Sequence, residues 1–177
     1  MAIASIGTGG TGTSSANSAT FTLATATNTI NAADNRFAVL TVVADNTTTT
    51  DGQSSDNTSV TGGNGTWTKI DEYTNGNGAA AAGVTTSLWL FVPDGANATG
   101  TVFTITYGSA RADKVASLWV FSKGADLDIE IGAAREFNAT DGGQDFGTLA
   151  FSGLPSTERL YFRGCGKEAN ALTALTP

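Results

Sequence analysis

The sequence predicts an all-β chain: an antiparallel β-sandwich, jelly-roll-like, of about ten strands. Three observations lead there. Two segments repeat one apolar word, Ser87-Leu88-Trp89-Leu90-Phe91 and Ser117-Leu118-Trp119-Val120-Phe121, with an alternating run at 101–107 between them. No stretch of a dozen residues holds a clean helical period; the best, 168–175, is one short turn ending near Pro177. Charged residues are only 14% of the chain. Gly, Thr, Ser, Asn and Ala fill most of the rest, which suits strands joined by many turns, because Thr tolerates strands while Gly and Asn tolerate positive φ.

Taken in order, short apolar-alternating runs occur at 2–6, 19–25, 36–44, 66–73, 84–92, 101–107, 114–122, 127–131, 146–151 and 159–163. Between them stand turn signals such as Gly9-Gly10, Asn64-Gly65, Asn75-Gly76, Pro93-Asp94-Gly95 and Asp141-Gly142-Gly143. In the two repeated words a step of two carries Trp to Phe on one face while Leu and an aliphatic residue point the other way, so both faces of those strands are apolar, as in a sheet covered on both sides. With 101–107 between them they read as a three-strand meander whose outer strands share one side-chain phase. Two connections are unusually long. Residues 45–65 are polar, with Val60 the single aliphatic residue, and 74–83 are almost entirely Asn, Gly and Ala; loops of this kind are functional or disordered. Residues 1–18 read as an amino-terminal arm and 19–177 as one sandwich domain. The apolar ending at 172–177 suggests docking onto a neighbour or, better, a chain that continues past Pro177.

A chain of 177 residues suffices for one domain that buries roughly 70% of its unfolded surface. The single Cys165 cannot pair within the chain and reads as a small structural residue. Net charge is −7, and the nine basic residues are scattered without a stripe, so nucleic acid is not an expected partner. The start lacks the charged and apolar regions of a signal peptide, and no segment approaches the ~20 apolar residues of a membrane helix. The expectation is a product made in a cytoplasm, with no membrane partner.

The absence of histidine removes Ser/His/Asp and Cys/His nucleophile systems and the usual zinc sites. Asp126, Asp128 and Glu130 alternate on one strand, with neighbours about 7 Å apart, a spacing inverting glycosidases use; a solvated face opposite Leu127, Ile129 and Ile131 is the simpler reading. Asp45, Asp51 and Asp56, with Asn46 and Asn57, could supply oxygens to calcium, but their spacing matches no EF-hand or repeat pattern, and a solvated loop is again simpler. Five Asn-x-Ser/Thr sequons, at Asn46, Asn57, Asn64, Asn97 and Asn138, are chance products of a Thr- and Asn-rich chain. Trp67, Trp89 and Trp119 sit in alternating strands and read as core, while Tyr73 and Tyr107 end their strands and are expected half exposed. The glycine-rich run 7–12 lacks the lysine and following helix of a phosphate loop and reads as a flexible connector. No catalytic, cofactor-binding or metal-binding residue is assigned, no cofactor is implied, and the chain is not expected to be an enzyme.

One resemblance adds to this. Asn64-Gly65-Thr66-Trp67-Thr68-Lys69, Thr85-Thr86-Ser87-Leu88-Trp89, Gly100-Thr101-Val102-Phe103-Thr104-Ile105 and Ala116-Ser117-Leu118-Trp119-Val120-Phe121-Ser122 together resemble a β-sandwich domain of structural proteins of tailed bacteriophages. The closing motif, Phe121-Ser122-Lys123-Gly124, is one residue longer than the usual form. The likeness spans residues 37–124, carries over no functional residues, and implies a virion component of the capsid decoration, neck, tail or fibre type. Such a protein would act as a homo-oligomer among other virion proteins; the glycine-rich or apolar residues 2–12 and 172–177 and a sheet edge are expected to supply the contacts, and residues 45–65 the exposed or partner-facing surface. The alternative is a carbohydrate- or receptor-binding module that meets a host surface glycan.

Overall fold

A computed structural model describes residues 3–25, 28–50, 52–53, 56–75, 83–125, 129 and 160. Among the described residues there are nine strands: β1 (Ala4–Ser14), β2 (Ser18–Ala24), β3 (Arg36–Asp45), β4 (Gly52–Gln53), β5 (Asn57–Thr61), β6 (Gly65–Asn75), β7 (Val84–Pro93), β8 (Val102–Arg111) and β9 (Lys114–Ser122). One 3-10 turn, Ala32–Asp34, precedes β3 and closes on Asn35 at φ 52°. Apart from Ile129 and Leu160, the strands expected at 127–131, 146–151 and 159–163 lie outside the described residues. So do the helical turn at 168–175, Cys165, Asp51, Asp126, Asp128, Glu130 and Asn138.

The strand pairing defines the architecture. β1 pairs with β9, β2 with β8 and β3 with β7, all antiparallel, so the arm β1-β2-β3 runs against the arm β9-β8-β7 as one long ribbon. Successive pairs fall alternately into two sheets, and the rolled ribbon closes where β9 also pairs with β3 and β8 with β5. The result is a six-stranded sheet, β1-β9-β3-β7-β6-β4, facing a three-stranded sheet, β2-β8-β5. This is jelly-roll connectivity, and the expected antiparallel sandwich is what the chain forms. One strand departs from the plain pattern: β6 hydrogen-bonds to β7 and so extends the larger sheet, rather than pairing with β5 in the smaller one.

The inner faces form the principal core. Ala38, Leu40, Val42 and Ala44 of β3, Trp89 and Phe91 of β7, and Ala116, Leu118 and Val120 of β9 pack against Phe21, Leu23, Val60, Phe103, Ile105 and Tyr107 of the smaller sheet. Burying each large apolar side chain here is worth about 1.5–3 kcal/mol, which makes this layer the main source of stability. The opposite face of the larger sheet is apolar too: Phe37, Val39, Leu90 and Phe121 are buried there, with Ile3, Ile70, Val92, Trp119 and Ile129 packed against them. Two-sided apolarity of the repeated words is therefore real.

Their grouping into a meander is not. β8 belongs to the smaller sheet, while β7 and β9 lie on either side of β3 in the larger one. Alternation is the same whether a turn reverses the chain within a sheet or carries it across to the facing sheet, so the pattern could not distinguish the two. Nor do the outer words share a phase. Trp89 and Leu118 both sit opposite Leu40, whereas Leu90 and Trp119 both sit opposite Val39. Trp89 faces the inner core and Trp119 the outer cluster.

The amino-terminal arm is also different. Residues 4–14 form an edge strand paired along β9 up to Ser14↔Lys114, and the glycine-rich run is part of it rather than a connector. Its glycines have a packing reason. A Cβ at Gly9 would lie 2.9 Å from Val120 Cγ2 on the neighbouring strand β9, and one at Gly12 would lie 3.1 Å from Phe21 Cζ on the facing sheet, so there is little room here for larger residues. Finally, the loop expected over 45–65 holds β4 and β5, with Val60 in the core.

Candidate functional site

The two long sides of the sandwich are closed in opposite ways, and that contrast locates the features with functional potential. On one side, β5 and β6 lie next to each other in different sheets with no ladder between them. A buried carboxylate joins them instead. Glu72 of β6, whose side chain is 0% exposed, accepts hydrogen bonds from the backbone N–H groups of Asp56 and Asn57, the latter at 3.1 Å. Lys69 closes the other flank at 2.8 Å, its ammonium 5.2 Å from the centre of the Trp89 ring. A kink between Lys69 and Asp71 in the pairing with β7 turns Glu72 inward.

The polar network continues from there. Trp89 Nε1 donates to Ser87 Oγ at 3.1 Å, and the Asn57 amide lies 2.7 Å from the same hydroxyl. Arg111, 3% exposed, reaches the Asp45 carbonyl at 2.8 Å and the Asp56 carboxylate at 3.5 Å, with Tyr107 beneath its guanidinium at 5.1 Å. Thr47 donates to Asp56 at 3.0 Å. Burial raises the Tyr107 phenol well above its usual range. Burial, with the nearby Asp113 carboxylate second, raises Asp45. Burial likewise lowers Lys114, which is 1% exposed and donates to the Ala16 and Arg111 carbonyls.

Chemically this side is a staple. Of the oxygens weighed for calcium, the Asp56 carboxylate is engaged by Arg111 and Thr47 and the Asn46 side chain accepts from the Gly83 N–H, while Asp51 lies outside the described residues; among the described residues no group of three His, Cys, Asp or Glu is placed to hold a metal. Asp45 and Asp56 are brought near one another by Arg111, not by an open cage. At the end of the sandwich, Asn97 plays a similar part. Its side chain accepts from the Asn64 N–H at 2.7 Å and donates to the Ile30 carbonyl at 3.0 Å, tying three connections together. Asn46, Asn57 and Asn97 are thus buried, so three of the sequons are internal hydrogen-bonding positions, while Asn64 is exposed. The sequence offered no sign of this, since a buried and a solvated Asn read alike.

Trp67 caps the inner core, its ring 4.7 Å from Phe91 and 5.1 Å from Phe103, with Nε1 donating to the Gly62 carbonyl at 3.2 Å. Tyr73 is half-buried on β6, whereas Tyr107, expected at a strand end, lies within β8 and is buried in the core, because that strand runs on to Arg111. Neither they nor the other tryptophans are gathered into one surface.

The other long side is formed by β1 and β2, the edge strands of the two sheets. Neither strand carries a charged side chain: every Asp, Glu, Lys and Arg lies from Asp34 onward, and the Lys114 ammonium that reaches the Ala16 carbonyl between them is buried. Ala4, Ser5, Ile6, Thr11 and Thr13 of β1 and Thr20, Thr22 and Ala24 of β2 are exposed. Natural edges are usually guarded by charge, proline or a cover. The far edge of the larger sheet follows that rule, with Lys69, Asp71 and Glu72 on β6 and β4 laid against its end. β1 and β2 themselves hold neither a charged residue nor a proline.

Among the described residues no helix is long and apolar enough to cross a membrane. The chain matches no protein-family model, no curated protein and no solved structure.

Proposed function

We propose that the chain is a non-enzymatic structural component of a virion, of the capsid decoration, neck, tail or fibre type, that works by associating with copies of itself and with other virion proteins. One observation carries this reading: the edge strands β1 and β2 hold no charged residue in a jelly roll whose net charge is −7. Copies of an acidic chain repel, and burying like charges between them is costly. Edge strands without charge are where such copies can meet, and a symmetric interface needs one self-complementary patch. Jelly rolls also recur in capsid proteins, although that support rests on fold analogy alone.

The glycan-binding reading has less behind it. The Trp67 ring is packed on Phe91 and Phe103 and its N–H is committed to Gly62. The test is to band particles from the source material on a density gradient and quantify this chain by mass spectrometry. The proposal expects the chain to co-sediment with particles at fixed stoichiometry. Recovery wholly in the soluble fraction would defeat it.

A further inference from the structure

We infer that the β1 edge is a self-pairing site: residues 10–14 of two copies add to one another as antiparallel strands across a two-fold axis at Gly12, joining two six-stranded sheets into one. This rests on the assembly reading above and names its contact.

Four observations lead to it. β1 ends the larger sheet, and among the described residues its ladder partner is β9 alone, so alternate N–H and C=O groups of this strand point away from the sheet. At the start of the strand Asn28 donates to the Thr8 carbonyl at 2.7 Å, which leaves residues 10–14 as the stretch for a partner. That stretch is a near-palindrome, Gly10-Thr11-Gly12-Thr13-Ser14. Antiparallel pairing about Gly12 sets Thr11 opposite the partner's Thr13, and Thr13 opposite the partner's Thr11. Thr pairs facing each other across strands are favourable, and here they lie on the exposed face. Small residues at 10, 12 and 14 let two backbones approach without clash on the inner face. Charge selects the occupant: a strand from another acidic surface would bring carboxylates to the join, whereas a second copy of β1 brings none.

The contact is small, so a single pair is weak and gains strength from repetition in an assembly. The experiment uses the full chain and two readouts, sedimentation and amide hydrogen exchange, from about 10 µM to about 1 mM. The result expected is a concentration-dependent dimer in which amides of residues 10–14 slow by about tenfold or more. Thr11→Lys with Thr13→Lys, which sets like charges across the join, raises the dissociation constant about tenfold or more. Thr66→Lys with Thr68→Lys, on exposed positions of β6, leaves it unchanged. Unaltered melting temperatures confirm that both variants fold. Oligomers that persist in the Thr11/Thr13 variant, with residues 10–14 exchanging rapidly at all concentrations, would overturn this contact and leave the assembly reading standing. A chain that stays monomeric throughout and is missing from particles would overturn both.

Discussion

Changing Glu72 to Ala removes a buried acceptor that ties β5 to β6. Two backbone donors and one cation lose their partner. Asn57, 1% exposed, keeps a buried N–H with nowhere to go, a penalty of about 1–3 kcal/mol. The Asp56 N–H is nearer the surface and partly recovers by hydration. Lys69, whose side chain is 26% exposed, can turn to water and contributes little, within the ~1 kcal/mol of a half-exposed pair. Relief of the buried carboxylate's own desolvation offsets the smaller terms, so the net cost is about 1–3 kcal/mol. For a chain of this size that is a fall in melting temperature of roughly 2–12 °C. Glu72→Gln, which keeps one oxygen, should fall between. Urea unfolding followed by tryptophan fluorescence measures the free energy, and hydrogen exchange locates it: protection should drop at Asn57 and Val60 of β5 before it drops in β3. A Glu72→Ala chain within about 0.5 kcal/mol of the parent would refute the staple, since that is the range of ordinary surface substitutions.

Other expectations follow from packing and charge. Leu40→Ala, at a position 0% exposed between the sheets, should cost about 2–5 kcal/mol by calorimetry. Gly12→Val should destabilise by about 1–3 kcal/mol or more, because even its Cβ would press on Phe21 and Leu23. Asp45→Asn tests the electrostatics. Burial raises the Asp45 carboxyl above 3.8 in the folded state, so between 3.8 and that higher value the folded chain holds a proton the unfolded chain has released. Asp45 therefore weakens the fold as pH rises through that window. Asp45→Asn should melt above the parent at neutral pH, and the gap should close as pH falls below 3.8; a gap that widens in acid would reverse the assignment.

Seven strands were legible in the sequence because their alternation survives in the structure: β2, β3, β6, β7, β8 and β9 near their expected bounds, and β1 only in its first residues. Gly7–Gly12 hid the rest of β1, since glycine in a strand reads as a turn unless one knows that Val120 and Phe21 crowd it. β5 was hidden for the opposite reason: Asn57-Thr58-Ser59-Val60-Thr61 has one apolar side chain, and its place is fixed by Glu72 and by pairing with β8, both distant in sequence. The same holds for Arg111, Asn97 and Lys114, whose burial depends on carbonyls they reach across the fold. Which sheet each strand joins was not legible, because alternation reports a strand's faces and not its neighbours. The uncharged start of the chain was visible as composition, but only the placement of β1 and β2 on one side makes it a surface.

Assembly of this jelly roll through the uncharged strands β1 and β2 is tested most directly by an electron cryomicroscopy map of the particle that contains it. The map expected has β1 of each copy running beside another β1, with the β5–β6 side turned away from that join. A map in which β1 and β2 face solvent while copies meet through β6 would contradict it.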